Sequence, residues 1–221
     1  MKPTERLAEA IAPDGTRLTL LRHDGSYVLR ANNVELMSTR RSNSEVQLAE
    51  SACAPFVGRG GVRALIGGLG FGFTLRATLA FLAPDAEVVV AELLQAVIDW
   101  NLNTEWKLAA NALADTRVRL LHDDVLNVMR ENRASFDAIM LDVDNGAEAF
   151  TTAGNAALYS DAGIRDTADA LKPDGLLAYW SAGDDARFMK ALRRCGLTPT
   201  SRRSRAHTGS GTQHTVIVAR R

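Results

Sequence analysis

Cysteine is close to absent from this 221-residue chain, with two thiols, Cys53 and Cys195, far apart in sequence. Two thiols without motif spacing make neither a disulfide framework nor a metal site, so both are expected to be reduced and partly buried in a cytosolic protein. Net charge is lacking too. Lys and Arg total 26 and so do Asp and Glu, which leaves no field to draw in a polyanion or a membrane surface. A local basic run, Arg193, Arg194, Arg202, Arg203 and Arg205, reads as a solvated face. No stretch reaches the ~20 apolar residues that a membrane span requires. The N-terminal MKPTERLAEAIAPDG has no apolar segment of the kind an export signal carries. A cytoplasmic protein with no nucleic-acid partner and no membrane partner is therefore expected. Histidine is scarce as well. His23, His122, His207 and His214 have no ligand spacing with acids or cysteines, so no metal is expected, and no Ser/His/Asp arrangement suggests nucleophilic catalysis.

What is present is an ordinary globular composition, 46% hydrophobic and 24% charged, in a length that suits one large α/β domain. Residues 1–42 read as a small β appendage. Thr16–Leu21 and Tyr27–Arg30 alternate apolar and polar residues around the turn His23-Asp24-Gly25-Ser26, and Asn32-Asn33 turns the chain into Val34–Met37. That makes two or three antiparallel strands. Residues 43–221 form the main domain. A helix over Ser44–Ala54 ends at Pro55, and alternation of strand and helix begins at Val62. Strands are expected at Val62–Ile66, Glu87–Ala91, Val118–Leu121, Ala138–Leu141 and Leu176–Trp180. Helices are expected at Phe73–Ala83, Leu94–Leu113, Val125–Glu131, Ala162–Leu171 and Ala186–Cys195. Residues 145–158 read as a loop, and Lys172-Pro173-Asp174-Gly175 as a turn. Gly209–Gly211 with Thr215–Ala219 suggests a closing hairpin. Strands spaced by helices imply a parallel sheet with right-handed crossovers. The fold class is therefore α/β: a Rossmann-like, class I methyltransferase-type sheet, mostly parallel, with a C-terminal antiparallel hairpin strand and the N-terminal β appendage.

Chemistry concentrates at the ends of the strands. The strand Val62–Ile66 runs into Gly67-Gly68-Leu69-Gly70-Phe71-Gly72, and a helix starts at once. Gly68, Gly70 and Gly72 permit positive φ and close approach to a ligand, and the helix N-terminus offers unpaired N–H groups to a carboxylate or phosphate. A tight strand-to-helix turn needs glycine for structural reasons alone, so the triplet by itself is weak. Glu92 strengthens it, because it ends the second strand ~20 residues on, where such folds hold ribose hydroxyls. Asp123 and Asp124 follow the third strand, and Asp142 and Asp144 the fourth. Any one of these acids could serve only as a helix cap, and Asp124 is expected to cap Val125–Glu131. Three acid-bearing strand ends beside the glycine turn, four on one edge in all, are harder to explain by capping. Trp100 and Trp106 are read as helix packing, and Ser38–Arg41 either as a solvated turn or as the pocket mouth.

These residues carry a resemblance. Gly67–Arg76, Glu92, the His122-Asp123 step, Phe136–Asp142, and Leu158-Tyr159 followed by Leu171–Gly175 resemble spermidine synthases and related polyamine aminopropyltransferases. The likeness covers most of residues 16–181 and includes the N-terminal appendage. It implies that Gly68, Gly70 and Gly72 line the tail of an S-adenosyl nucleoside, that Glu92 holds the ribose and that Asp123 faces the adenine amino group. Asp142 matches the first acid of the family's Asp-x-x-Asp, which accepts a proton from the attacking amine; Asp144 stands in for the second, whose position holds Asn145. The co-substrate implied is decarboxylated S-adenosylmethionine, and the partner a small-molecule amine. The family often dimerises through its appendage, for which Val34–Met37 could supply an edge strand.

The chain also departs from the family. Its members usually carry Gly-Gly-Gly-Asp-Gly-Gly in the loop, whereas Leu69, Gly70 and Phe71 stand here, so the acid that grips the aminopropyl amine is missing at position 70. Of the family's Tyr-x-Glu-x-x-x-His stretch only Glu45 remains. The loop fits the Gly-x-Gly-x-Gly pattern of methyltransferases that use intact S-adenosylmethionine equally well. Three functions stay open: an aminopropyltransferase-like enzyme, a methyltransferase or other user of intact S-adenosylmethionine, and a non-catalytic nucleoside-binding module.

Overall fold

The two-residue turns of the N-terminal region show why it forms a meander. Asp24 and Gly25, and then Asn32 and Asn33, all have positive φ, the conformation in which a turn matches the twist of the strands it joins. A computed structural model describes residues 3–40, 42–142, 157–181, 186–207 and 210–221. Its N-terminal sheet is an antiparallel meander of β1 (Glu5–Ile11), β2 (Arg17–His23), β3 (Ser26–Ala31) and β4 (Val34–Ser38). There are four strands where two or three are expected. Glu5–Ile11 escapes a pattern reading because its exposure follows no clean alternation and its register slips between Arg6 and Ala8.

The main sheet has seven strands: β5 (Arg63–Gly67), β6 (Glu87–Glu92), β7 (Val118–His122), β8 (Phe136–Leu141), β9 (Leu171–Ser181), β10 (Thr198–His207) and β11 (Ser210–Arg220). They lie in the order β10-β11-β9-β8-β5-β6-β7. Strands β5 to β9 pair in parallel, while β11 is antiparallel to both neighbours. The parallel sheet and the antiparallel hairpin at its end are as expected. The Lys172–Gly175 turn lies within β9 as a bulge, since Phe136 pairs with Leu171 and Ala138 already pairs with Leu176.

Helices cover both faces because the central strands are apolar on both sides. One face, with Ile66, Val88, Val90 and Met140, packs under α1 (Asn43–Cys53) and α2 (Phe73–Phe81). The other, with Leu65, Val89, Ile139 and Leu141, packs under α5 (Val125–Glu131), α6 (Asp161–Ala170) and α7 (Ala186–Arg194). The single helix expected over Leu94–Leu113 is instead α3 (Gln95–Leu102) and a one-turn α4 (Ala110–Leu113). The break begins at Asn103, whose Oδ1 accepts from Glu105 N at 2.9 Å, a local bond that competes with the helix. Lys107 within it takes φ +52. A third cluster ties the small sheet to the large one, joining Leu18, Leu20 and Leu29 to Phe71, Trp100 and Leu108. Trp100 thus packs as expected. Cys53 is buried, which pushes its thiol up to about 12, and Cys195 is half-buried; both are free thiols. Arg193, Arg194 and Arg202 are exposed, as a solvated face should be. The side chains of Arg203, Arg205, His207 and His214 lie outside the described residues.

Candidate active site

Strand β5 has β6 on one side and β8 on the other, so the chain reverses its direction of travel across the sheet at its carboxyl end. Ligands of open α/β sheets bind in the crevice this reversal opens. The glycine turn sits there. Gly68, Gly70 and Gly72 take φ of +89, +50 and +72, and Gly72 N donates to Leu69 O at 2.7 Å. Gly72 also caps α2, with no side chain closing that helix end. Packing explains part of the glycine content. A Cβ at Gly72 would lie 2.5 Å from Ala109 Cβ, and one at Gly70 would lie 2.6 Å from Met37 Cε. Leu69 and Phe71 are buried, so the positions flanking Gly70 turn their side chains into the protein.

Glu92 is 7% exposed and splits its carboxylate between two backbone donors. Oε2 accepts from Leu69 N and Oε1 from Leu94 N, both at 2.9 Å. It therefore holds the glycine turn against the end of β6 and presents a negative charge at the crevice. Asp123 lies beside it, with its N–H donated to Glu92 O. Asp123 Oδ1 accepts from Asp124 N and Asn127 Nδ2, and Oδ2 has no hydrogen-bond partner among the described residues. Asp124 caps α5 as expected, accepting from Leu126 N at 2.8 Å. His122 turns away to Leu93 O at 3.0 Å.

Asp142 closes the crevice from the β8 side. Its N–H donates to Gly67 O at 3.0 Å, and its Oδ2 accepts from Thr74 Oγ1 at 2.7 Å. The structure thus brings Gly68, Gly70, Gly72, Glu92, Asp123 and Asp142 onto one edge. Asp144 and Asn145 lie outside the described residues, as does most of the loop expected over 145–158. Glu45, in the first turn of α1, accepts from Ser44 Oγ at 2.6 Å, and burial pushes its carboxyl above the ordinary value despite that bond. Among the described residues no group of three or more His, Cys, Asp or Glu could hold a metal ion.

Three residues of the site are not legible as such in the sequence. Thr74 reads there only as the start of a helix. Asn101 donates to Gly70 O at 2.7 Å and to Val97 O, and a mid-helix Asn carries no motif. Met37 reaches the turn from another sheet, which no local pattern announces.

Comparison with known proteins identifies the fold. Spermidine synthase from Thermotoga maritima superposes with a TM-score of 0.76 at 17% identity, over 97% of this chain and 72% of that one. A spermidine synthase solved in complex with the transition-state analogue AdoDATO gives 0.75 at 16%, over the same shares. The fold is that of the spermidine synthases. In sequence, the chain is similar to polyamine aminopropyltransferases of two strains of Leptospira biflexa serovar Patoc, each 33% identical over 104 residues. That segment is 44% of this chain and spans about a third, 34%, of the relatives' length. No protein-family model matches. No helix among the described residues is long and apolar enough to cross a membrane.

Proposed function

We propose that the chain is a spermidine synthase-like transferase that moves an aminopropyl group from decarboxylated S-adenosylmethionine to a small amine. The observation that carries this reading is the placement of Asp142, a carboxylate seated against Thr74 and the backbone of Gly67 at the mouth of a glycine turn. In the reaction an amine lone pair attacks the carbon next to the sulfonium. The C–S bond breaks, its electrons stay on sulfur as a neutral thioether, and the new ammonium gives a proton to Asp142, which passes it to solvent. An ammonium is no nucleophile, so the step requires such an acceptor. Thr74 keeps the carboxylate oriented while it waits. Glu92 would receive the ribose hydroxyls and Asp123 Oδ2 the adenine amino group. A cytoplasmic location belongs to the same reading, as does a homodimer formed through the edge strand β4, whose Val34 is exposed.

A second reading has its own support. Met37 occupies the space beside Gly70, and the turn carries no acid to hold a second ammonium. Intact S-adenosylmethionine has a carboxylate that suits the uncapped N-terminus of α2, so a methyltransferase is the alternative. Parallel calorimetric titration with intact and decarboxylated S-adenosylmethionine and with methylthioadenosine separates the two. Tighter binding of the decarboxylated form, with release of methylthioadenosine in the presence of putrescine or cadaverine, supports aminopropyl transfer. Preference for the intact form supports the alternative, and binding of none would reduce the glycine turn to a structural feature. Under the first reading Asp142→Asn abolishes turnover and leaves methylthioadenosine binding within about threefold, since the lost group acts on the transferred proton.

A further inference from the structure

A cleft of about 520 Å³ lies between the N-terminal sheet and the segment joining α3 to α4. Tyr27 and Thr39 form one wall, Phe73 and Arg76 of α2 a second, and Trp106 and Lys107 a third. Its size is that of a small-molecule site. None of Glu92, Asp123, Asp142 and Thr74 lines it, and no acid stands among its described lining residues. Its described lining is therefore aromatic and cationic, the reverse of the acidic strand ends.

Its two cations differ in how they are held. Arg76 gives Nη1 to Leu108 O and Nη2 to Phe71 O, both at 3.0 Å, and lies over the Phe73 ring at 4.8 Å. Two of its five N–H donors are committed to these carbonyls, so it props the walls and adds its positive field. Lys107 is exposed and makes no hydrogen bond or ion pair among the described residues. Its backbone is left-handed, φ +52, a conformation that a residue with a Cβ adopts only at a cost. Glycine would relieve that strain, so nothing in the backbone calls for a lysine. Strained residues of this kind concentrate at ligand sites. What lysine adds is an ammonium at the rim of an aromatic cleft.

We propose that this cleft binds a planar aromatic anion of one or two rings, with the rings against Trp106 and Phe73 and the carboxylate or equivalent anion on Lys107. Aromatic walls supply contact area and ring-on-ring geometry, and the cations select charge. Trp106, which packs against the cluster beneath the small sheet, is then a ligand platform as well.

The test is calorimetric titration of the full chain with 2-naphthoate, 2-naphthylmethanol and 2-naphthylmethylamine at low salt. Saturable binding of 2-naphthoate is expected, with the alcohol weaker by about fivefold, the most that one exposed charge pair supplies. The ammonium compound should show no binding. Lys107→Gly should weaken 2-naphthoate by a similar factor while the melting temperature holds or rises, because the strain is gone. Lys107→Arg should keep binding within about threefold, since the charge is kept. No heat with 2-naphthoate, equal affinity for the alcohol, or unchanged binding by Lys107→Gly overturns the proposal. So does one-for-one competition with methylthioadenosine, which would place both ligands in the acidic crevice. Failure of methylthioadenosine to bind at all bears on the nucleoside reading and leaves these titrations to be read on their own.

Discussion

Met37 stands where a side chain at Gly70 would have to go. A Cβ built there would lie 2.6 Å from Met37 Cε and 3.1 Å from its sulfur, on a backbone with φ +50. The N-terminal sheet thus touches the glycine turn directly, and the two positions should behave as a coupled pair. Gly70→Ala is expected to destabilise the fold by about 1 kcal/mol or more from backbone strain alone, with further loss from the clash. Met37→Ala should recover the clash component, giving a non-additive cycle of about 1 kcal/mol in urea unfolding. Strict additivity would show that the two do not meet in solution.

The same pair offers a switch of co-substrate. With Met37→Ala to make room, Gly70→Asp adds a carboxylate beside the turn. The double variant should shift preference toward decarboxylated S-adenosylmethionine and away from the intact form, measured by competition titration. An unchanged ratio would mean that the tail of the nucleoside lies elsewhere.

Glu92→Gln should damage turn and site together. An amide can offer one acceptor, and its NH2 would face the N–H of Leu69 or Leu94 across a buried contact. A loss of about 1–3 kcal/mol is expected from one unsatisfied buried donor, accompanied by weaker methylthioadenosine binding. Full stability with lost binding would show that the clamp on the turn is dispensable.

Asp137 lies at the opposite end of β8 and is 2% exposed. It accepts from Arg63 N at 2.9 Å and Lys172 Nζ at 2.7 Å, and pairs with Arg59 at 3.1 Å. Asp137→Asn removes a buried carboxylate whose cationic partners reach solvent, and about 1–3 kcal/mol of stability should go with its charged hydrogen bonds. Nucleoside binding by the folded fraction should not change, because the group sits at the far edge of the sheet.

Glu45 gives a pH signature. Burial raises its carboxyl, so the folded state takes up its proton more readily than the unfolded chain does. The stability tied to that proton is fully present below the ordinary value of 4.5 and is lost as pH rises through the raised folded value. Glu45→Gln should therefore melt higher than the parent at neutral pH, with the gap closing as pH falls below about 4.5. A gap that widens toward acid would show that the carboxylate is favoured in the fold.

The parallel sheet was legible because its central strands are short apolar runs, such as Glu87–Glu92, separated by helical spacing. The acids of the site were legible because each follows such a run. Contacts between distant segments were not. Thr74 meets Asp142 and Asn101 meets Gly70 only once the sheet is assembled, and neither residue type is rare in a helix. The break at Asn103–Ala109 was hidden because Trp106 and Leu108 keep an apolar rhythm through a segment that is not helical.

The antiparallel strand β11 fills the gap between β9 and β10 rather than extending the sheet's rim. A ribosome delivers β9 and β10 before the strand that must separate them. Until Ser210–Arg220 emerges, β9 has an open edge toward that gap, and β10, which pairs only with β11, has no partner at all. Side-by-side pairing of β9 with β10 is the competing outcome during that interval. The nascent chain is thus most exposed to misregistration and to capture by other chains between the emergence of β10 and that of β11, after the crevice between β5 and β8 has already been laid down.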